Sequence, residues 1–538
     1  MYNSRHTSNI ANLFKVVMFI GGVVLLTRML DLQVVKGAYY RSLSEGNRLR
    51  SVVIQAPRGK IYARGGELLA DNLNIKKTLV FDPKNGYIKE KAISTTKPDD
   101  IIDEWNRSYP LGAVVAHAVG YLGKVDEQEV GKPDPHCINK GIRISESVVG
   151  RSGLEEQYDC ELRGIDGKEL VEVDIQGKKV RTLGLQKPIP GTDINTTIDY
   201  GLQKKLSQSF KDLPGAAIAT DMHGQILALY SNPSFDPSIF LNSNPTNDAL
   251  VTNLFSDSTL PLFDRAISGA YHPGSVFKIV VATGALEDRI ITPDFVYQDT
   301  GSISINGFNY STWYFSQYGK TEGNINLEKA IARSTDTFFY KVGEMTGIDQ
   351  LVHWADQFGV GKKTGIDLPG EVSGLLPSPQ WKERVLNERW FLGNTYHFSI
   401  GQGDTLMTPL QTNLLTATMA NGGFLCSPSV TFLNKPKCAK LTMSQATVDT
   451  IYKGMQDACA SGGTGYPFFD FEPTVACKTG TAETGTKETH AWFTVIAPAQ
   501  NPEIILTVLV EKGGEGSKVA APIAKEALDY WFHVRSQK

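Results

Sequence analysis

His272-Pro273-Gly274-Ser275-Val276-Phe277-Lys278 runs straight into Ile279-Val280-Val281-Ala282. Pro273-Gly274 punctuate the chain, and the apolar run behind them has the length and small residues of a buried helix, so Ser275 is expected at a helix N-terminus. Lys278 then falls on the same face of the first turn. A serine hydroxyl is a weak nucleophile until something takes its proton. A lysine in a partly desolvated pocket does this, because burial disfavours its charged form. The helix N-terminus adds backbone N–H groups and a positive dipole end where an oxyanion is stabilised. Ser-x-x-Lys also arises by chance in long chains, so the weight of this reading rests on what surrounds it.

Ser334-Thr335-Asp336 follows 59 residues after Ser275 (334 minus 275), within a stretch read as helical from Leu327 to Thr346. Lys478-Thr479-Gly480-Thr481 follows another 144 residues on (478 minus 334), at the end of an apolar strand read over Thr474 to Cys477. A second Lys-Thr-Gly at Lys363-Thr364-Gly365 sits among Gly359, Gly361, Pro369 and Gly370, which is loop chemistry. Lys478 is preferred because its strand can pair with the one read over Ala491 to Ile496, leaving Thr479-Gly480-Thr481 as a sheet edge offered to a ligand. Upstream, Gly215 to Thr220 and Gln225 to Tyr230 read as a hairpin, preceded by a helix over Leu202 to Phe210 with Asp199 as N-cap. Downstream come a strand over Ile504 to Val510 and a closing helix from Pro522 to Phe532. Strands at both ends with helices between predict an α+β domain whose single sheet is built from its two ends. A Ser-His-Asp triad through His272, His397 or His490 is set aside, since no Gly-x-Ser-x-Gly elbow exists.

The 538 residues, 41% of them hydrophobic, allow a large domain with one or two smaller ones, and the net charge of −3 gives no sign of nucleic-acid binding. Val16 to Leu26 is uninterruptedly apolar, and extension to residues 10–30 gives the roughly 20 residues of a membrane helix, with Lys15 and Arg28 snorkelling. Thr27-Arg28-Met29-Leu30 lacks the small residues of a cleavage site, which favours an uncleaved, single-pass signal anchor. Residues 1–9 are then a cytoplasmic tail and nearly all the rest is exported. Residues 31–190 read as a non-catalytic region with two marked stretches, Ala56 to Ala70 and Gly150 to Gly164, the second containing a short amphipathic helix; residues 191–538 form the catalytic domain. Of the six cysteines, Cys426 and Cys438 are a plausible short-range disulfide, with free thiols as the alternative.

Ser275-x-x-Lys278, Ser334-x-Asp336 and Lys478-Thr479-Gly480, in that order, resemble the active-site triplet of penicillin-binding proteins and serine β-lactamases. Arg58-Gly59 through Ala70 and Gly150 through Gly164 look like the pedestal motifs of class B penicillin-binding proteins. Asp336, Gly365-Ile366-Asp367-Leu368-Pro369-Gly370-Glu371 and Ser399-Ile400-Gly401-Gln402-Gly403 look most like the elongation type, penicillin-binding protein 2. The resemblance implies a penicillin-binding transpeptidase fold, an antiparallel sheet flanked by helices, on an extended pedestal behind one transmembrane helix. It implies a peptidoglycan D,D-transpeptidase at the inner membrane, with its catalytic domain periplasmic or extracytoplasmic, cross-linking stem peptides during elongation and inhibited covalently by β-lactams. A RodA-type membrane glycan polymerase and the elongation complex are the implied partners. Carboxypeptidase action, or service mainly as a structural activator of the polymerase, are the alternatives.

In this resemblance Ser275 is the nucleophile, Lys278 its base, Ser334 a proton relay and Lys478 a catalytic residue that offers positive charge, while Thr479, Gly480 and Thr481 hold the substrate's terminal carboxylate. The N–H groups of Ser275 and Thr481 form the oxyanion hole, and Gln402 lines the cleft. No cofactor is implied, and no metal, since Lys278 to Ser334 contains neither His nor Cys. The usual aspartate is missing at Ala63, and the interval after Asn72 is short, implying a reduced head. Asp336, where division-type relatives usually carry asparagine, is expected to orient Lys278 and to accept a hydrogen bond from the substrate, while favouring the charged form of Lys278.

Overall fold

The computed structural model describes residues 4–535 apart from 83–85, 95, 97–100, 133–136, 145–146, 175–178 and 242–243. The chain forms two compact units that alternate along the sequence. The first comprises Met1–Arg58, Leu73–Asn106 and Gly164–Gly191; the second comprises Gly59–Asn72, Arg107–Arg163 and Thr192–Lys538. Most of both marked stretches, Ala56 to Ala70 and Gly150 to Gly164, falls in the second unit.

In the first unit the apolar helix spans Ser4–Leu30, and Asn9–Val35 is long and apolar enough to cross a membrane. Residues 1–3 of the expected tail lie outside the described residues. A three-stranded antiparallel sheet joins Leu49–Ile54, Gly167–Val173 and Lys179–Gln186, with Gly167–Val173 in the middle.

The catalytic unit is built on five strands: β1 (Gly215–Thr220), β2 (Ile226–Asn232), β3 (Ala476–Glu483), β4 (Thr489–Ala497) and β5 (Ile504–Val510), all antiparallel in the order β2-β1-β5-β4-β3. The sheet is assembled from both ends of the domain, as the sequence predicts. Its central strands are apolar on both faces because helices cover both. Trp492, Ile496, Ile505 and Leu509 enter one core with the apolar helix behind Ser275, while Phe493, Val495, Leu506 and Val508 enter another with Leu202, Leu206, Phe210 and Ala524. Asp199 caps the helix Tyr200–Phe210 by accepting from Leu202 N at 2.9 Å.

The stretch after Gly150 is two short helices, Gly153–Gln157 and Asp159–Leu162, and Glu155 is fully buried. Its carboxylate accepts from Arg107 Nε at 2.6 Å, and Arg107 also donates to Gly59 O at 2.7 Å and Asn72 Oδ1 at 3.3 Å. Gly59 donates in turn to Leu162 O at 2.7 Å. A Cβ at Gly59 would lie 1.9 Å from Thr192 O, so only glycine fits there. The two marked stretches are thus tied together through one buried arginine.

Candidate active site

Gly274–Phe277 is a 3-10 turn that continues as the helix Lys278–Glu287, which places Ser275 at the helix entrance as expected. Gly274 takes a positive φ of 54°, and its N–H donates to Gly401 O at 3.0 Å. A Cβ at Gly401 would stand 2.3 Å from Gly274 O, so the Ser399–Gly403 turn meets the Ser275 turn backbone to backbone. Ser275 is partly exposed, while Lys278 is fully buried.

Two sequence expectations are corrected here. Ser334 does not lie inside a helix. Leu327–Arg333 and Asp336–Thr346 are separate helices, and Ser334 sits between them in the left-handed conformation at φ 55°, ψ 42°. Helical periodicity hides this break, which tertiary contacts fix. Asp336 N donates to Thr312 Oγ1 at 3.4 Å, Trp313 N to Asp336 Oδ2 at 3.3 Å, and Trp313 Nε1 to Arg333 O at 2.9 Å. Lys478 does not end a strand either, because β3 runs through Lys478, Thr479, Gly480 and Thr481 to Glu483 as the sheet edge. Pairing with β4 over the whole length, Thr481 opposite Ala491, carries the strand past the lysine.

The left-handed turn brings Ser334 between the two lysines. Lys278 Nζ donates to Ser334 O at 2.9 Å, Ser334 Oγ at 3.2 Å and Asp336 Oδ1 at 2.6 Å. Lys478 Nζ donates to the same Ser334 Oγ at 2.9 Å and to Thr479 O at 3.0 Å. Among the described residues none hydrogen-bonds the Ser275 hydroxyl, so Lys278 is anchored to Ser334 and Asp336 in this state. Burial pushes the Lys278 amine below its ordinary range, and the Asp336 carboxylate pulls only part of that back. Lys478 lies well below its ordinary range, through burial first and the Lys278 charge second, against the raising effect of Asp336. Two buried ammonium groups sharing one hydroxyl are unfavourable, so the pair favours one proton over two.

Thr479 is buried and donates to Thr464 Oγ1 at 2.9 Å, whereas Thr481 is exposed on the edge. Gln402 Nε2 reaches Thr481 O at 3.5 Å, which puts it against β3. A Cβ at Gly480 would meet Trp492 Cβ at 2.9 Å and Pro273 O, beside the Ser275 turn, at 3.3 Å. Lys363-Thr364-Gly365 is loop: Thr364 N and Gly365 N donate to the Glu371 carboxylate at 2.5 and 3.1 Å. His272 Nδ1 contacts Thr405 O at 2.9 Å and takes no part in the cluster. Sequence reading missed Thr464, Arg333 and Trp313; the Gly462-Gly463-Thr464-Gly465 turn ahead of β3 is the one available signal. The Cys426–Cys438 disulfide is present, with Cys137–Cys160 and Cys459–Cys477 besides.

Residues 215–529 match the family described as penicillin binding protein transpeptidase domain, and residues 87–196 the penicillin-binding protein dimerisation domain. The peptidoglycan D,D-transpeptidase MrdA of Acinetobacter baumannii is 32% identical over 594 residues, covering 96% of this chain and 86% of that protein. This chain is a penicillin-binding D,D-transpeptidase. Helicobacter pylori penicillin-binding protein 2, solved in complex with MreC, superposes with a TM-score of 0.78 at 27% identity, over 90% of this chain and 98% of that one. A chain from a structure on the coordination of polymerization and crosslinking by a peptidoglycan synthase complex gives 0.77 at 26% identity, over 99% of both. The D,D-transpeptidase therefore has the fold and the serine chemistry that the motif triplet implied.

Proposed function

We propose that this transpeptidase forms an acyl-enzyme through Ser275 on the D-alanyl-D-alanine end of a peptidoglycan stem peptide and passes the acyl group to an amine of a neighbouring stem. The observation that carries the residue roles is Ser334 Oγ, held at 3.2 Å by Lys278 and at 2.9 Å by Lys478. Neutral Lys278 takes the Ser275 proton as Oγ attacks the carbonyl carbon; its longest bond, to Ser334 Oγ, is the one given up to free the lone pair. The N–H groups of Ser275 and Thr481 stabilise the oxyanion. As the tetrahedral adduct collapses, the C–N bond breaks and Ser334 Oγ protonates the departing D-alanine amine, refilled by a proton from the lysine pair. The acceptor amine then attacks the ester, its proton returns to Ser275, and the cross-link is released. Lys478 holds Ser334 Oγ at 2.9 Å, and Thr479 and Thr481 receive the terminal carboxylate along the Gly480 edge, with Gln402 bracing it.

The apolar helix supports a single-pass anchor in the inner membrane, with the tail inside and the catalytic unit outside. The likeness to the MreC-bound relative and to the synthase-complex chain supports work in the elongation machinery beside a RodA-type polymerase. The test is to map a penicillin adduct by peptide mass spectrometry and to identify the acceptor in the product. Adduct on Ser275 with amine-linked product is expected; adduct elsewhere, or product formed only with water, overturns the proposal.

Asp336 supports the charged form of Lys278, so Asp336→Asn is expected to lower the amine's pKa further. Acylation depends on the neutral amine and rises with pH through that pKa. The rising limb of the pH–rate profile should therefore move to lower pH, and an unmoved limb would remove Asp336 from the base's control.

A further inference from the structure

Thr464 occupies a turn that is held from several directions. Its N–H donates to Ala332 O at 3.2 Å, and Gly465 N donates to Ala458 O at 2.7 Å. The Arg333 guanidinium, stacked over Trp313 and Tyr314, donates to Gly462 O at 2.8 Å. The Cys459–Cys477 disulfide closes the loop one residue before Lys478. The turn is thereby fixed to both flanks of the cluster: Ala332 and Arg333 immediately precede Ser334, and Cys477 immediately precedes Lys478. Within this frame the Thr464 hydroxyl accepts the one proton of Thr479 Oγ1 at 2.9 Å.

We infer that Thr464 is a positioning residue for recognition of the substrate's terminal carboxylate, acting through the Thr479 hydroxyl. The inference rests on the reading above that Thr479 receives that carboxylate. A hydroxyl has one proton to give and lone pairs to accept with, whereas a carboxylate only accepts. With no ligand, Thr479 points its proton at Thr464. When a carboxylate arrives, Thr479 turns its proton outward and Thr464 supplies its own proton to the oxygen left behind. The result is a chain running from Thr464 through Thr479 to the anion, with each bond polarising the next in the same sense. Because the loop is tied at Ala332, Ala458 and Cys477, Thr464 stays in place while Thr479 switches between the two arrangements.

The prediction separates carboxylate-bearing ligands from neutral ones. Second-order acylation rates would be measured on the full chain in detergent with benzylpenicillin and with its methyl ester, for the wild type and for Thr464→Val, Thr464→Ser and Thr479→Val. Thr464→Val is expected to slow benzylpenicillin about three- to tenfold, the worth of one lost hydrogen bond. The methyl ester should be nearly unaffected, and Thr464→Ser should restore the wild-type ratio. A loss shared equally by both ligands means that Thr464 only packs the loop, and overturns the inference; so does no loss at all. If Thr464→Val does not fold, Thr464→Ala is read in the same way. Thr479→Val separates the two levels of the argument. If it shows no carboxylate-selective loss, the underlying reading of Thr479 fails; if it does while Thr464→Val does not, only the role of Thr464 fails.

Discussion

Lys278→Met is expected to slow acylation by penicillin and by substrate about 10²- to 10⁴-fold, the usual contribution of a positioned general base. Methionine fills similar volume in a site that is fully closed to solvent, so the apolar surroundings lose little. What disappears is the amine proposed to accept the Ser275 proton. The wild-type rate should climb with pH through a lysine pKa held below its ordinary value by burial, whereas the residual rate of the variant should be flat across that limb. The pH–rate profile of covalent labelling checks both points. A variant rate within tenfold of wild type would show that another group deprotonates Ser275.

Glu155→Ala should be the most damaging substitution away from the cleft. It leaves the Arg107 guanidinium, only 2% exposed, without the carboxylate that it meets at 2.6 Å. Breaking one side of such a buried pair costs about 3–5 kcal/mol, because the remaining charge stays desolvated. Arg107 also holds Gly59 and Asn72, so the junction between the two marked stretches should loosen with it. A thermal melt should show the catalytic unit unfolding several degrees earlier. Glu155→Gln, which keeps an acceptor for Nε but not the charge, should lose less, and a melt unchanged by either substitution would refute the assigned role of the pair.

The elements that the sequence predicts well are those whose signals are local. The hairpin of β1 and β2, the strand β5 and the Asp199 cap follow from continuous apolar runs, turn residues and a capping carboxylate. The helix entrance at Ser275 is local in the same way, since Pro273-Gly274 ends one conformation and the apolar run begins another. The site's least predictable feature is the Ser334 turn. Nothing between Leu327 and Thr346 except tertiary contact distinguishes a broken helix from a continuous one, and the contacts come from Thr312 and Trp313, more than 20 residues away (334 minus 312). The extent of β3 escapes for a related reason, because everything in it from Lys478 to Glu483 is strand only by virtue of pairing with β4. The Arg58–Ala70 and Gly150–Gly164 stretches are recognisable as motifs. Their membership of the catalytic unit depends on Arg107, whose meaning appears only when Glu155 and Gly59 are in place. The Thr464 turn is visible as a glycine cluster, and its link to Thr479 is not.

The order of the catalytic sheet bears on how the enzyme comes into being. β1 lies between β2 and β5, and Thr220 pairs with Ile505, a partner made 285 residues later (505 minus 220). Hairpin β1–β2 therefore emerges early and waits with one long apolar edge unfilled, while β3 and β4 have no route to the rest of the sheet except through β5. Pairings across such sequence distances are slow to form and leave sticky edges open meanwhile. The Lys478 strand is joined to the β1–β2 hairpin only through β5, so the sheet that carries the cleft is complete only when β5 is in place. Completion of the cleft thus waits on the insertion of β5, and until then the open edge of β1 is exposed to holding chaperones and proteases.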